Sequence, residues 1–253
     1  MNKKETTETI PKRDEHIDTL SNTKALRVML DNHINAFYAV ENSLDSIEIS
    51  ISKITELLEK NPKSKIIYVG AGTSARIAVQ DGVELIPTFG WSTKRLKFII
   101  AGGKSSLTKS IEGAEDLRHT SVKNVVGNTI KPNDVVIGLA ASGSTKFTTE
   151  IIKYANKIGA LTIGISNNLN SKLEKISKIS IILNTGAEIV AGSTRLKAGT
   201  AQKICLNLIS TIVMARLGKV KRGMMNNLIP TNRKLIDRKK IINSLLSIDE
   251  RGT

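Results

Sequence analysis

At 253 residues, the chain is long enough for one large domain with a substantial buried core. Its net charge of +15 is compatible with nucleic-acid binding, but the basic residues are spread along the chain and aromatic residues, which would stack on bases, make up only 3%. The composition therefore favours a lysine-rich solvated surface, and we expect no nucleic-acid partner. The single cysteine, Cys205, excludes an internal disulfide and lies in an apolar stretch typical of a buried thiol.

Residues 1–61 predict an N-terminal helical segment. Its first residues are polar and mix acidic with basic side chains, unlike a secretory signal or a transit peptide, so we expect a cytoplasmic protein. Further along, apolar residues recur at intervals of three and four, as in a heptad seam, which could pack on its own domain or on a second copy of the chain. The seam consists of Phe37, Val40, Leu44, Ile47, Ile51, Ile54 and Leu58.

From Lys65 onwards the pattern changes to short β-rich runs separated by helical segments. These runs are apolar on both faces, which is typical of strands in a parallel sheet that helices cover on both sides. The sequence therefore predicts an α/β fold with a doubly wound, five-stranded parallel sheet, and places any ligand at the carboxyl ends of the strands. The runs are residues 66–70, 96–102, 135–141, 161–166 and 179–183.

Hydroxyl-rich turns follow the first and third predicted strands. The first turn, residues 70–75, fits the dinucleotide fingerprint G-x-G-x-x-G/A, but no acidic residue follows the second strand to hold a ribose, so an NAD-binding oxidoreductase has little support. Both turns suit a phosphate ester, which needs several donors but no metal. Helix capping is the alternative explanation, and it fits one such turn better than two. The donors are Thr73, Ser74, Ser142, Ser144 and Thr145.

The most apolar part of the chain, residues 200–217, predicts a buried helix. Four polar or charged residues interrupt it, so it does not reach the length of uninterrupted apolar sequence that a membrane span needs. We therefore expect no membrane partner. The interrupting residues are Gln202, Lys203, Asn207 and Arg216.

The two turns also carry a resemblance to a known superfamily. GTS at 72–74 and ASGST at 141–145 resemble the phosphosugar-binding turns of the sugar isomerase (SIS) domain. Three longer strings resemble N-acetylmuramic acid 6-phosphate etherases, and the likeness runs from about residue 14 to residue 238: GAGTSARIAVQDGVELIPTFGW from Gly70, IEGAED from Ile111 and GSTRLKAGTAQK from Gly192. The resemblance implies an SIS-type domain over residues 62–220 and a C-terminal helical tail over 221–253 that is shorter than in the family.

The resemblance also implies a reaction. A carbon–oxygen lyase of this family removes the D-lactyl ether of N-acetylmuramate 6-phosphate by elimination and hydration. The products are N-acetylglucosamine 6-phosphate and D-lactate, in peptidoglycan recycling and amino sugar catabolism. No cofactor or metal is implied, the ligand is a small-molecule sugar phosphate, and the protein is expected to be a homodimer.

Site residues follow from the same resemblance. The two catalytic glutamates of the family fall on Glu84, expected to protonate the leaving lactate oxygen, and Glu115, expected to handle the proton on carbon 2. Ser74, Ser142 and Thr145 match the positions that hold the phosphate in SIS domains. Thr73 and Ser144 are expected as supporting donors, and the third string adds further residues near the substrate, which are Ser193, Thr194, Arg195 and Lys197.

Four positions depart from the family pattern. Ala75 stands where the family usually has Gly, and Ser144, Lys146 and Phe147 stand where it usually has Arg, Pro and Tyr. Two other functions of the same superfamily therefore remain open. One is a non-catalytic phosphosugar-binding regulator, and the other is an aldose–ketose phosphosugar isomerase, which would share the phosphate turns but not the string at 192–203.

Overall fold

A computed structural model describes most of the chain, namely residues 6–10, 12, 16–109, 111, 113, 122–226, 236, 237 and 240. Seven α-helices and seven strands lie within these residues. The helices are α1 (Asn22–Glu41), α2 (Leu44–Lys60), α3 (Gly72–Phe89), α4 (Val122–Val126), α5 (Lys146–Ile158), α6 (Lys172–Ile176) and α7 (Lys197–Arg216). The strands are β1 (Ile66–Gly70), β2 (Leu96–Ile100), β3 (Val135–Leu139), β4 (Leu161–Ser166), β5 (Ile179–Ile182), β6 (Val220–Lys221) and β7 (Met224–Met225).

The central sheet confirms the predicted fold class. Its five strands are all parallel and lie in the order β2-β1-β3-β4-β5, so the chain winds in both directions from β1. Alternate residues of β1 enter different cores: Ile66 and Tyr68 pack on the side of α1, α2, α3 and α7, whereas Ile67 and Val69 pack on the side of α5. Continuous apolar strands are required because both faces of the sheet are covered.

The N-terminal seam forms two helices instead of one. The chain turns at Asn42 and Ser43, where the Ser43 hydroxyl donates to the carbonyl of Ala39 and, at 2.9 Å, to that of Ile182 in β5. This contact ties the turn to the edge of the sheet. The seam residues from Ile47 onwards are buried in the chain's own core, but Phe37 and Leu44 remain 63% and 50% exposed, so the seam divides between the core and the surface.

Helix α7 is a core helix, as the sequence predicts. It packs against α1, α2 and α3, and the thiol of Cys205 in its middle is fully buried, which raises the pKa of that thiol. By length and composition α7 could cross a membrane, but 56% of its apolar span is buried inside the fold. Burial of this kind is the ordinary property of a helix at the centre of an α/β domain.

A short antiparallel pair of strands follows α7. Strands β6 and β7 are joined by Arg222 and Gly223, both with positive φ, as a tight two-residue hairpin requires. Helix was predicted from residue 221, so the first residues of the tail differ from that prediction. Most of the remaining tail lies outside the described residues.

Candidate active site

A polar cavity of about 160 Å³ lies at the carboxyl ends of β1 and β3. It brings together residues from both predicted turns, although the turns are about 70 positions apart in the sequence. The predicted donors that line it are Thr73, Ser74, Ser142, Thr145 and Thr194. The other lining residues are Thr7, Glu8, Ala71, Gly72, Ala140, Ala141 and Gly192.

Two long helices begin at this cavity with no side-chain cap. The N-cap of α3 is Ala71, which has no polar side chain, and the hydroxyl of Thr145, the N-cap of α5, makes no capping hydrogen bond. The first N–H groups of a helix have no partner within the helix, and the helix dipole places partial positive charge at this end. An anion bound in the cavity can therefore cap both helices at once.

Two other helices that begin at this edge, α6 and α7, are capped by side chains of the protein itself. In α6, Ser171 and Glu174 form a complete capping box. In α7, the carboxylate of Glu188 accepts hydrogen bonds from the N–H groups of Lys197 (3.3 Å) and Ala198 (2.9 Å). Glu188 is fully buried, and burial raises the pKa of its carboxyl, although the two N–H donors act in the opposite direction.

The turn after β3 depends on a glycine. Gly143 has a φ of +67°, and a Cβ there would lie 2.4 Å from the hydroxyl of Ser171, so no larger residue fits. The neighbouring Ser142 hydroxyl accepts a hydrogen bond from the N–H of Ser144 at 3.0 Å. Because that bond uses a lone pair of the oxygen, the O–H of Ser142 stays available to donate to a ligand.

The remaining predicted site residues lie elsewhere. Ser193 and Arg195 belong to the loop before α7 but do not line the cavity, and Arg195 is exposed. Lys197 is only 3% exposed, so its side chain lies in the interior behind the cavity. Glu84 is exposed and lies about 15 Å further along α3 than Ser74, from the 1.5 Å rise per residue. Glu115 lies outside the described residues.

None of the four residues that depart from the family pattern lines the cavity. Ala75 is 2% exposed and Phe147 is 3% exposed, so both side chains belong to the core. Lys146 is exposed at the start of α5. The methyl group of Ala75 therefore does not occupy the space where a phosphate would bind.

Sequence reasoning missed several residues around the cavity. Thr7 and Glu8 come from the N-terminal segment, which was predicted to be helical and was given no residue in the site. Asn168, after β4, holds that segment in place. Arg76 donates hydrogen bonds to the carbonyls of Ser106, Leu107 and Lys109, and so fixes the loop that precedes the predicted Glu115. A polar residue directly after a buried strand was a usable signal for Asn168.

Among the described residues, no group of three His, Cys, Asp or Glu side chains is arranged to hold a metal ion. The hydrogen-bond donors that line the cavity are neutral, namely backbone N–H groups and hydroxyls from two strand ends. Such a set matches a phosphate ester, whose oxygens accept hydrogen bonds from many directions.

Comparisons with known proteins agree with this geometry. The matching family model is that of the glucokinase regulatory protein N-terminal SIS domain, over residues 49–156. Among solved structures, a phosphoheptose isomerase from Francisella tularensis has a TM-score of 0.57 at 14% identity, covering 78% of this chain and 100% of that chain. At this identity the likeness shows the shared fold.

Two curated relatives are closer in sequence. The N-acetylmuramic acid 6-phosphate etherase of Oceanobacillus iheyensis is 43% identical over 234 residues, which is 92% of this chain and 79% of the relative. The N-acetylmuramic acid 6-phosphate etherase of Clostridium beijerinckii is 43% identical over 235 residues, which is 93% of this chain and 77% of the relative. At this identity and coverage, the chain belongs to the N-acetylmuramic acid 6-phosphate etherase family.

Proposed function

We propose that this chain cleaves the D-lactyl ether of N-acetylmuramate 6-phosphate, giving N-acetylglucosamine 6-phosphate and D-lactate. Its family supports a carbon–oxygen lyase of this kind. The observation that carries the site is the convergence of two uncapped helices, α3 and α5, on one cavity lined by hydroxyl groups. These N–H groups and hydroxyls suit the 6-phosphate and anchor the sugar at the carboxyl edge of the sheet.

The reaction follows from the chemistry of the open-chain sugar, whose aldehyde acidifies the hydrogen on carbon 2. A base removes this proton while the bond between carbon 3 and the ether oxygen breaks, and the electron pair leaves on the lactate oxygen. An acid protonates that oxygen, since an alkoxide is a poor leaving group. Water then adds to carbon 3 of the unsaturated aldehyde. We assign the acid to Glu84 and the carbon 2 base to Glu115.

The phosphate contacts are proposed residue by residue. Ser74, Ser142 and Thr145 bind the phosphate, and Thr73 and Thr194 support it from the cavity wall. Ser144 contributes by holding the turn through its bond to Ser142. Ser193, Arg195 and Lys197 act near the sugar in the proposal, although none of the three lines the cavity of the single chain.

We also propose that the active form is a homodimer. Glu84 is exposed in the single chain, beside Val83, which is itself 41% exposed. Because Glu84 lies about 15 Å along α3 from Ser74, the proposal requires that Glu84 of a second copy act on the sugar bound at the cavity. A second copy packed over this part of α3 would also supply the setting poor in water that a general acid needs to keep its proton at neutral pH. Helix α1 also exposes an apolar stripe that a second copy would cover: Leu26, Leu30, Ile34, Phe37 and Tyr38.

The biological setting is proposed from the same reaction. Its substrate and product are amino sugar phosphates, so we place the enzyme in peptidoglycan recycling and amino sugar catabolism, in the cytoplasm. Within the chain, the SIS-type domain is proposed over residues 62–220, the helical segment over 1–61 and the tail over 221–253.

The test is release of D-lactate from N-acetylmuramate 6-phosphate by the purified protein, with Glu84→Gln beside it. We expect release by the wild type and a loss of about 10²–10⁴-fold in kcat for the variant, the range typical of a missing acid–base group. Glu59→Gln is the matched control, because Glu59 is an exposed glutamate at the end of α2, away from the cavity. This control should keep full activity.

Two results would contradict the proposed reaction. Tight binding of the sugar phosphate without lactate release would leave a non-catalytic phosphosugar-binding protein. Conversion between aldose and ketose phosphates without lactate release would identify an isomerase. Equal activity of Glu84→Gln and wild type would remove Glu84 from the chemistry while leaving the reaction in place.

A further inference from the structure

The N-terminal residues Thr6–Glu8 form a short turn that lies across the carboxyl edge of the sheet. Asn168 holds this turn: its side-chain oxygen accepts hydrogen bonds from the N–H (2.7 Å) and hydroxyl (3.0 Å) of Thr6, and its amide donates to Thr7 and to the carbonyl of Ala141. Thr7 is fully buried, and its carbonyl accepts from the N–H of Gly192 at 2.9 Å. The turn is therefore a fixed wall of the cavity.

Glu8 places a carboxylate at that wall. Its two oxygens approach Gly192 so closely that a Cβ at this position would lie 2.8 Å from one and 3.1 Å from the other. Of the described residues that line the cavity, Glu8 alone has an ionisable side chain, and it is exposed to solvent. An anion-binding cavity thus carries one negative charge and, among the described residues, no positive one.

A carboxylate cannot be the partner of the phosphate, because ionised carboxylates only accept hydrogen bonds and like charges repel. It can accept from neutral donors. With the phosphate anchored at α3 and α5, the sugar donors nearest to it are the hydroxyl on carbon 4 and, in the open-chain form, the hydroxyl on carbon 5. The small size of the cavity keeps this part of the sugar close to the turn that carries Glu8.

We infer that Glu8 is a substrate-recognition residue that accepts a hydrogen bond from a sugar hydroxyl close to the phosphate, that on carbon 4 or, in the open chain, that on carbon 5, and that Asn168 positions it. This inference rests on the proposed function, since it takes the ligand to be a hexose phosphate bound through its phosphate at α3 and α5. It assigns two tasks to two regions of one cavity. The helix N-termini bind the phosphate, and the N-terminal turn accepts a hydrogen bond from the sugar.

The inference predicts that one substitution changes two affinities in different ways. Glu8→Gln keeps the shape of the side chain but removes its charge. The Kd for N-acetylglucosamine 6-phosphate should rise by about 10-fold, because a hydrogen bond to a charged acceptor is lost. The Kd for inorganic phosphate should stay the same or fall, because a repelling charge near the anion is gone. Isothermal titration calorimetry with both ligands measures the difference, and Glu59→Gln should leave both Kd values unchanged.

Asn168→Ala gives a second readout. Loss of the amide releases the turn, so hydrogen exchange at residues 6–8 should increase and the Kd for the sugar phosphate should rise at least as much as in Glu8→Gln. Faster exchange with an unchanged Kd for the sugar phosphate would overturn the positioning role.

Other outcomes for Glu8→Gln would overturn the inference. Tighter binding of both ligands would mean that Glu8 only repels anions, and unchanged binding of both would mean that it touches neither. If wild-type protein binds N-acetylglucosamine 6-phosphate no more tightly than inorganic phosphate, the proposed function fails first. That result is distinguishable because it appears before any substitution is made.

Discussion

Helices α3, α5, α6 and α7 begin at the carboxyl edge of the sheet, and they divide into two pairs. Helices α3 and α5 start at a common cavity without a side-chain cap, whereas α6 is capped by the capping box of Ser171 and Glu174, and α7 is capped by Glu188. All four ends carry the same backbone chemistry, so the difference lies in whether a side chain of the protein already caps the helix. A ligand can therefore cap the two helices that no side chain of the protein caps.

The largest expected effect comes from adding a capping side chain to one of the two uncapped helices. In Thr145→Asp, the new carboxylate can cap α5 from within and repel the phosphate. We expect KM for the sugar phosphate to rise by at least about 100-fold, while thermal stability stays equal or improves, because Asp is a good N-cap. Steady-state kinetics and a melting curve measure the two effects.

The matched control is Ser21→Asp at the start of α1. Ser21 is likewise an N-cap whose side chain makes no capping bond, but it is exposed and does not line the cavity. Its kinetics should not change. A similar rise in KM in both variants would show that added negative charge acts at long range, without any capping of the cavity helices.

A smaller effect is expected from removing the capping side chain of α7. Glu188→Ala leaves the N–H groups of Lys197 and Ala198 without their buried acceptor, so the free energy of unfolding should fall by about 2 kcal/mol. Urea denaturation measures this loss. Glu174→Ala at the more exposed start of α6 should cost about 1 kcal/mol or less. If Glu188→Ala instead keeps full stability and weakens substrate binding, α7 belongs with the ligand-binding pair.

The smallest effect concerns Asp81, in the middle of α3 and away from all four ends. Its carboxylate is buried and accepts hydrogen bonds from Tyr68, Asn207 and Ser210. Burial, the largest influence, raises the pKa of this carboxyl, so the folded protein binds the proton more tightly than the unfolded chain does. The contribution of Asp81 to the free energy of unfolding must therefore fall as the pH rises from about 4 through the pKa of this carboxyl in the folded protein.

Asp81→Asn removes this titration. In urea denaturation between about pH 4 and 7, the stability of the variant relative to the wild type should rise with pH, and KM should change by less than about 3-fold. An identical pH dependence in both proteins would show that Asp81 does not titrate in this range.

The sheet could be predicted from the sequence because each strand is a local apolar run, and the paired turns could be predicted because their hydroxyl residues follow the strands directly. The caps could not. Asn168 meets Thr6 across 162 positions, and Glu188 reaches α7 through a loop, so no short pattern links either pair. The turn at Ser43 was missed for a similar reason: its anchor is a carbonyl of β5, 139 positions away. The local sequence around Lys197 indicates an exposed charge, but tertiary packing buries this side chain.

A crystal structure with N-acetylglucosamine 6-phosphate would show directly whether the phosphate binds between the N-termini of α3 and α5. We expect phosphate oxygens within about 3.2 Å of N–H groups in the first turns of both helices, close to Ser74 and Ser142. The amino edge of the sheet offers an alternative, a larger cavity of about 430 Å³ lined by lysines that include Lys63 and Lys131. A phosphate bound there, with none at the N-termini of α3 and α5, would contradict the proposed phosphate site.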